Sequence, residues 1–269
     1  MVPVSLDPRW VIVMLGSSAA FGSLSPLTYA RRLNYFAASL PHSALLSVAL
    51  GVAASAHLGG HPAAWAVVIS LPLSYLLIHL IHRGVSEDSA TSVFVAFTAA
   101  GSVAAIYYVL TSVPVRVSLW SYILGDPLLT TWDDALLTAA IGAATFIASR
   151  LLLMQEMLIG LDSEFAAASG LRVKLHNYLL ATLLTITSVS LLRSVGFVVE
   201  HVALLLPSAL AAQVARSARE FFTVSVASSV AAGLIGLLLS RILNAAPAAM
   251  MGFTLLAMYV LSLLLSERR

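Results

Sequence analysis

Residues 63–82 read AAWAVVISLPLSYLLIHLIH, an apolar run with no aspartate, glutamate, lysine or arginine. At about 1.5 Å per residue, a helix of this length covers a hydrocarbon core of roughly 30 Å. Lipid offers no water to the backbone, and a helix satisfies its own peptide groups there. Working outward, the same pattern recurs at 10–30, 36–57, 89–110, 134–153, 177–193, 195–212, 221–240 and 248–266. That gives about nine spans. The seventh, 195–212, is short, follows Arg193 and Ser194, and contains Pro207. A broken or re-entrant seventh helix would leave eight full spans. Composition agrees: 60% of residues are hydrophobic and 10% charged, against about 25% charged in a soluble domain. The short alternating segments of a membrane barrel are missing. The expected fold is all-α, a polytopic transmembrane helical bundle forming a single domain over 1–269. Arg9 alone precedes the first run, and no small-residue cleavage site follows it, which reads as an uncleaved span.

The basic residues orient the chain. With nine spans and the N-terminus outside, the inner side holds Arg31, Arg32, Arg83, Arg150, Arg172, Lys174, Arg216, Arg219, Arg268 and Arg269. The outer side holds Arg9, Arg116, Arg193 and Arg241. This is a positive-inside bias, and it places a multi-pass chain in the cell membrane with its C-terminus in the cytoplasm. A net charge of +2 fits that bilayer orientation better than a nucleic-acid partner. With no cysteine, disulfides and thiolate metal sites are excluded. The single lysine, Lys174, stands between Val173 and Leu175, so the Gly-Lys-Ser/Thr of a P-loop is not present. The chain is expected not to be an enzyme. Any ATP used in its work must be hydrolysed on another polypeptide.

Two connections exceed a tight turn. In 111–133, placed outside, Trp120, Tyr122 and Trp132 suit a membrane interface. In 154–176, placed inside, Asp162-Ser163-Glu164 resembles a helix start and Gly170 a helix stop. A short helix of small residues, about Glu164 to Ser169, follows. It reads either as an ordinary loop helix or as a docking surface for a cytoplasmic partner.

Histidine and carboxylate inside apolar spans need an explanation, because both are costly in lipid when charged. His42 lies in the second span behind Pro41; His57 and His61 flank Gly59-Gly60 in an outer turn. His79 and His82 sit at the inner end of the third span, and His176 is interfacial. Each taken alone suits a structural role. Glu200-His201, inside the seventh span, is the pair that asks for more. Imidazole and carboxylate bind zinc, manganese and iron, yet adjacent helical residues point about 100° apart. Helix counting puts His42 about 9 Å from the inner end of its span and Glu200 about 7.5 Å from the outer end of its own. Across about 30 Å that leaves a gap of roughly 13 Å, too wide for one ion and more in keeping with two successive sites. The structural alternative pairs Glu200 with Arg193. Glu87-Asp88 begin the fourth span, where a first-turn acidic pair favours the helix dipole; a role in transport is the alternative.

The order of motifs resembles a known family. Arg31-Arg32-Leu33-Asn34-Tyr35-Phe36, followed by Leu40-Pro41-His42-Ser43-Ala44-Leu45 and on to Gly51, resembles a segment of the ABC-3 family of zinc, manganese and iron ABC importer permeases. Glu87-Asp88-Ser89-Ala90, the WSYILGD of 120–126, the FAAASGLRVK of 165–174, and Val195-Gly196 through Pro207-Ser208-Ala209 resemble further motifs of that family, in order, over about residues 8–266. The resemblance implies a fold similar to type II ABC importer permeases. It implies the transmembrane subunit of an ATP-driven importer, with no bound cofactor and a divalent metal as transported substrate. The implied partners are an ATP-binding ABC subunit, an extracytoplasmic metal-binding protein, a second permease copy and the lipid bilayer. The 154–176 segment then becomes the ATPase-coupling segment, with Glu164, Ala167 and Gly170 as its contact residues. This chain departs from the pattern at two places. Ala38 stands where the family has an acid four residues before the histidine, and Glu200 and His201 stand where it has small or aliphatic residues. The expected metal residues are therefore His42, Glu200 and His201. A metal-chelate permease of the same build and a secondary carrier driven by an ion gradient are the alternatives; a coupling helix is required of the first and not of the second.

Overall fold

The computed structural model describes residues 6–113 and 127–266, and those residues form helices without a strand. Helix α1 (Pro8–Ala30) starts where the Asp7 carboxylate accepts the Arg9 backbone N–H at 2.9 Å, with Pro8 in the first turn. Helix α2 (Asn34–Leu58) turns at Gly59-Gly60 into α3 (Pro62–His82). Ser86 caps α4 (Glu87–Ser112). A reciprocal capping box between Thr131 and Asp134 opens α5 (Trp132–Leu161). The remaining helices are the short α6 (Ser163–Ala168), then α7 (Val173–Val214), α8 (Ala218–Leu243) and α9 (Pro247–Ser266). Trp120, Tyr122 and the 120–126 motif lie outside the described residues, as do Arg116, Arg268 and Arg269.

Among the described residues, eight helices are long and apolar enough to cross a membrane. Helices α1 and α2 are the most buried, and α3, α4 and α5 lie at the perimeter. Between lipid-soaked helices there is no hydrophobic driving force, so contact relies on close backbone approach at small residues. Helix α1 shows this: a Cβ on Gly142 of α5 would land on the Gly16 backbone, and Ser17, Ser18, Ser23 and Ser25 are all buried. The outward faces are apolar instead, with Val93, Phe97, Val103 and Leu110 on α4 and Leu136, Leu137, Ile147 and Leu151 on α5 exposed. That is the surface a bilayer covers.

Helix α7 settles the span count. A straight helix of 42 residues would be about 63 Å long, twice a hydrocarbon core. The helix is not straight. Gly196, at φ 80° and ψ 167°, interrupts it. Residues 173–195 run antiparallel to α5, through His176–Glu156, Thr187–Thr145 and Ser194–Thr138 in turn. Residues 197–214 then come back. Ser208 N–H donates to Ser25 Oγ, Ser225 Oγ of α8 to the Pro207 carbonyl, and Ala212 shares a cavity wall with Ala30 and Asn34. Asn177 reaches Arg31, so α7 begins and ends at the same end of the bundle. Counting its two halves separately turns eight helices into nine passages among the described residues. The two apolar runs 177–193 and 195–212 are thus two helical segments that meet at the Gly196 kink.

The charges divide accordingly. Arg32, Arg83, Arg172, Lys174, Arg216 and Arg219 share the Arg31 end by helix order. At the opposite end, Arg9 donates to the Thr130 carbonyl, Arg193 approaches Asp134 at 3.4 Å, and Arg241 lies over the Trp10 ring at 5.4 Å.

Candidate functional site

Most of the seven histidines have local structural work. His61 Nδ1 accepts the Ala63 N–H at 3.2 Å and caps α3. His57 meets the Tyr108 hydroxyl at 3.0 Å. His79 contacts Arg83, and His82 contacts Asn177 at 2.6 Å. His176 lies 2.8 Å from Glu156. His42 and His201 remain, and they come together: their rings stand edge to face, with centroids 5.7 Å apart. Phe197 touches both rings, at 5.0 Å from His42 and 4.5 Å from His201.

The two imidazoles face a cavity of about 720 Å³ between α2, α4 and the returning half of α7. Tyr35, Ala38 and Ser39 join His42 from α2, and Asp88, Thr91 and Ser92 contribute from α4. Two imidazoles on one tetrahedral zinc, with Zn–N of about 2.0 Å, hold their centroids about 5 Å apart, close to the spacing seen. His201 Nδ1 lies 3.2 Å from the Phe197 carbonyl, and the ring also bonds the Ala38 backbone. A metal ion taking a ring nitrogen replaces one of these backbone contacts. Among the described residues, no three His, Cys, Asp or Glu side chains are grouped closely enough to cage an ion. Two imidazoles with hydroxyls nearby suit an ion in passage, since a conducting site must release what it binds.

The 13 Å separation expected between the two spans does not keep them apart. Gly196 breaks α7 inside the bundle, so the returning segment begins beside His42 rather than at the far surface. The placement of Glu200 also differs from both sequence readings. It is fully buried, it does not line the His42 cavity, and among the described residues neither carboxylate oxygen has a hydrogen bond of normal geometry. Ser188, on the outgoing half of α7, stands beside it. Arg193 does not neutralise it, because that guanidinium is turned to Asp134. Asp88, read as a dipole partner of α4, proves to be the acid that lines the cavity, while Glu87 turns to the Phe36 backbone. A side chain one residue further along a helix faces about 100° away, and only the packing of α2 on α4 shows which of the two carboxylates lines the cavity.

The 154–176 connection folds as its signals require. Asp162 accepts the N–H groups of Glu164 and Phe165 at 3.0 and 2.9 Å, and Gly170, at φ 91°, ends the turn. Glu164, Phe165, Ala167 and Gly170 are exposed, and Ala166 alone in this stretch is buried.

Fold and cavity together define a multi-pass helical membrane protein with an open, histidine-lined cavity between α2, α4 and the returning half of α7. Residues 7–266 match the model of the ABC 3 transport family, and the chain belongs to that family. It is 27% identical over 220 residues to the manganese import system permease protein ScaB of Streptococcus parasanguinis, covering 81% of this chain and 77% of that one. It is 27% identical over 240 residues to the high-affinity zinc uptake system membrane protein ZnuB of Haemophilus influenzae, covering 88% and 89%. The fold is similar to that of PsaBC from Streptococcus pneumoniae, solved in complex with Fab, with a TM-score of 0.81 at 23% identity over 94% of this chain and 89% of that one.

Proposed function

We propose that this chain is the permease subunit of an ATP-driven importer that moves a divalent metal ion by alternating access. The observation that carries this reading is the meeting of His42 and His201, 5.7 Å apart, in a chamber inside the spans of an ABC 3 family member. The imidazoles exchange the ion's hydration shell for nitrogen ligands, and Ser39, Thr91 and Asp88 extend a polar path along the chamber. Ala38 leaves His42 without an acid on its own helix. A turn of segment 197–214 about Gly196, by roughly the 100° between neighbours, exchanges His201 for Glu200 beside His42 and brings a carboxylate to the ion. The relatives named for manganese and zinc import favour a bare ion over a chelate.

ATP hydrolysis belongs to a separate subunit docked on α6, whose exposed Phe165 and Ala167 form an apolar knob between charged flanks. A second permease copy and an extracytoplasmic metal-binding protein complete the assembly. The basic Arg31 end faces the cytoplasm by the positive-inside rule. Uptake of zinc, manganese and iron into proteoliposomes holding the reconstituted complex tests the reading. ATP-dependent uptake of at least one of these ions is expected, with tenfold or greater loss in His42→Ala and in His201→Ala. Uptake at the wild-type rate and affinity in both variants removes this path, and normal uptake in Glu200→Gln removes the carboxylate exchange.

A further inference from the structure

Five residues from four separate stretches of the sequence, Arg31 at the end of α1 and four within helices, converge at the Arg31 end. Glu156 of α5 is wholly buried, and its two carboxylate oxygens are taken by different partners: Oε2 by the Arg31 guanidinium and Oε1 by His176 Nδ1 at 2.8 Å. The other arm of Arg31 donates to Asn177 Oδ1, and Asn177 Nδ2 meets His82 Nε2 at 2.6 Å. Arg31 caps α1, His82 closes α3, and His176 and Asn177 stand in the first turn of α7. The Glu156 carboxylate therefore ties α5 to α1 and α7, and Asn177 links α3 to them through His82. Glu156 and His176 also lie on either side of the 162–172 connection, and their contact closes that connection into a loop with α6 at its tip.

We infer that Arg31, Glu156, His176, Asn177 and His82 form a clamp that makes α6 rigid with respect to α1, α3 and α7, so that displacement of α6 by a partner is delivered to the helices around the chamber. The inference rests on the docking of an ATPase at α6 proposed above. Without the clamp, α6 is joined to the bundle through the chain ends at Leu161 and Val173 and through its buried side chain, Ala166. A partner then moves α6 without moving the helices. The charged pair has a specific consequence: a guanidinium serves Glu156 and Asn177 at once through its planar fork, and a lysine ammonium on a single stem serves one of them.

The test compares two rates on the same reconstituted complex, with its ATPase and binding protein, in proteoliposomes: ATP turnover and uptake of Zn²⁺ or Mn²⁺, whichever the wild type carries. For Glu156→Gln the expected result is ATP turnover within twofold of wild type, with metal carried per ATP lowered at least tenfold. Arg31→Lys is expected to fall between the two. A purely structural role lowers both rates in proportion to the amount of assembled complex and leaves the ratio unchanged. Should Glu156→Gln fail to assemble, the paired Arg31→Met/Glu156→Met variant removes both charges together and is read in the same way. An unchanged ratio in an assembled variant overturns the clamp. A wild-type complex that hydrolyses ATP and carries none of zinc, manganese and iron overturns the metal-permease reading instead.

Discussion

Gly196 decides the site at the scale of the residue. Its φ of 80° and ψ of 167° lie in a region open to glycine and strained for any residue with a Cβ, at about 1–3 kcal/mol. Gly196→Ala is therefore expected to lower stability by that amount, read as a drop in melting temperature of the purified permease, and to move His201 away from His42. An unchanged melting temperature would show that the break is set by its neighbours and not by the glycine. Glu200 makes the complementary case. Ionising a buried carboxyl that has no cationic partner costs several kcal/mol, a penalty an amide never carries, so Glu200→Gln should leave the melting temperature equal or higher while metal uptake falls. A fall in both marks the carboxylate as structural.

At the scale of the element, α6 shows how six residues are held as a helix. The Asp162 cap and the Gly170 stop fix its ends, and a buried Ala166 seats it, so that Phe165 and Ala167 project. Small exposed residues permit close approach by a partner, and a long charged side chain forbids it. Ala167→Arg is expected to abolish metal-stimulated ATP turnover of the complex while the isolated permease keeps its melting temperature. Normal turnover in an assembled Ala167→Arg complex removes α6 as the docking element. Helix α7 makes the opposite point about elements. Its two halves are joined directly at Gly196, yet they run in opposite directions, and the meeting of His201 with His42 depends on that reversal.

At the scale of the whole molecule, nine passages put the two ends of the described helices, Pro8 of α1 and Ser266 of α9, on opposite sides. Helix α8 leaves the Arg31 end beside Tyr29 and reaches the other end at Arg241, over Trp10, and α9 returns. The C-terminus is expected in the cytoplasm. Because the chain has no cysteine, Arg269→Cys supplies a single thiol. An impermeant thiol reagent should label it only after the membrane is opened, and labelling of intact cells would invert the topology.

Much of this was legible in the sequence because lipid imposes a simple rule on it. Apolar length fixed the helices, arginine placement marked one end, and Asp162 with Gly170 bounded α6 by local capping chemistry. The place of His57 and His61 in a glycine turn was also visible, though the His61 cap of α3 and the His57 contact with Tyr108 came only with the structure. What depended on direction was not legible. That His201 and not Glu200 meets His42, that Asp88 and not Glu87 faces the chamber, and that Arg193 turns to Asp134 all depend on the rotation of one helix against another. In a bundle whose helices are apolar on nearly every face, sequence periodicity carries little record of that rotation. It is set by where small residues such as Gly16 and Gly142 let backbones touch, and by the single break at Gly196.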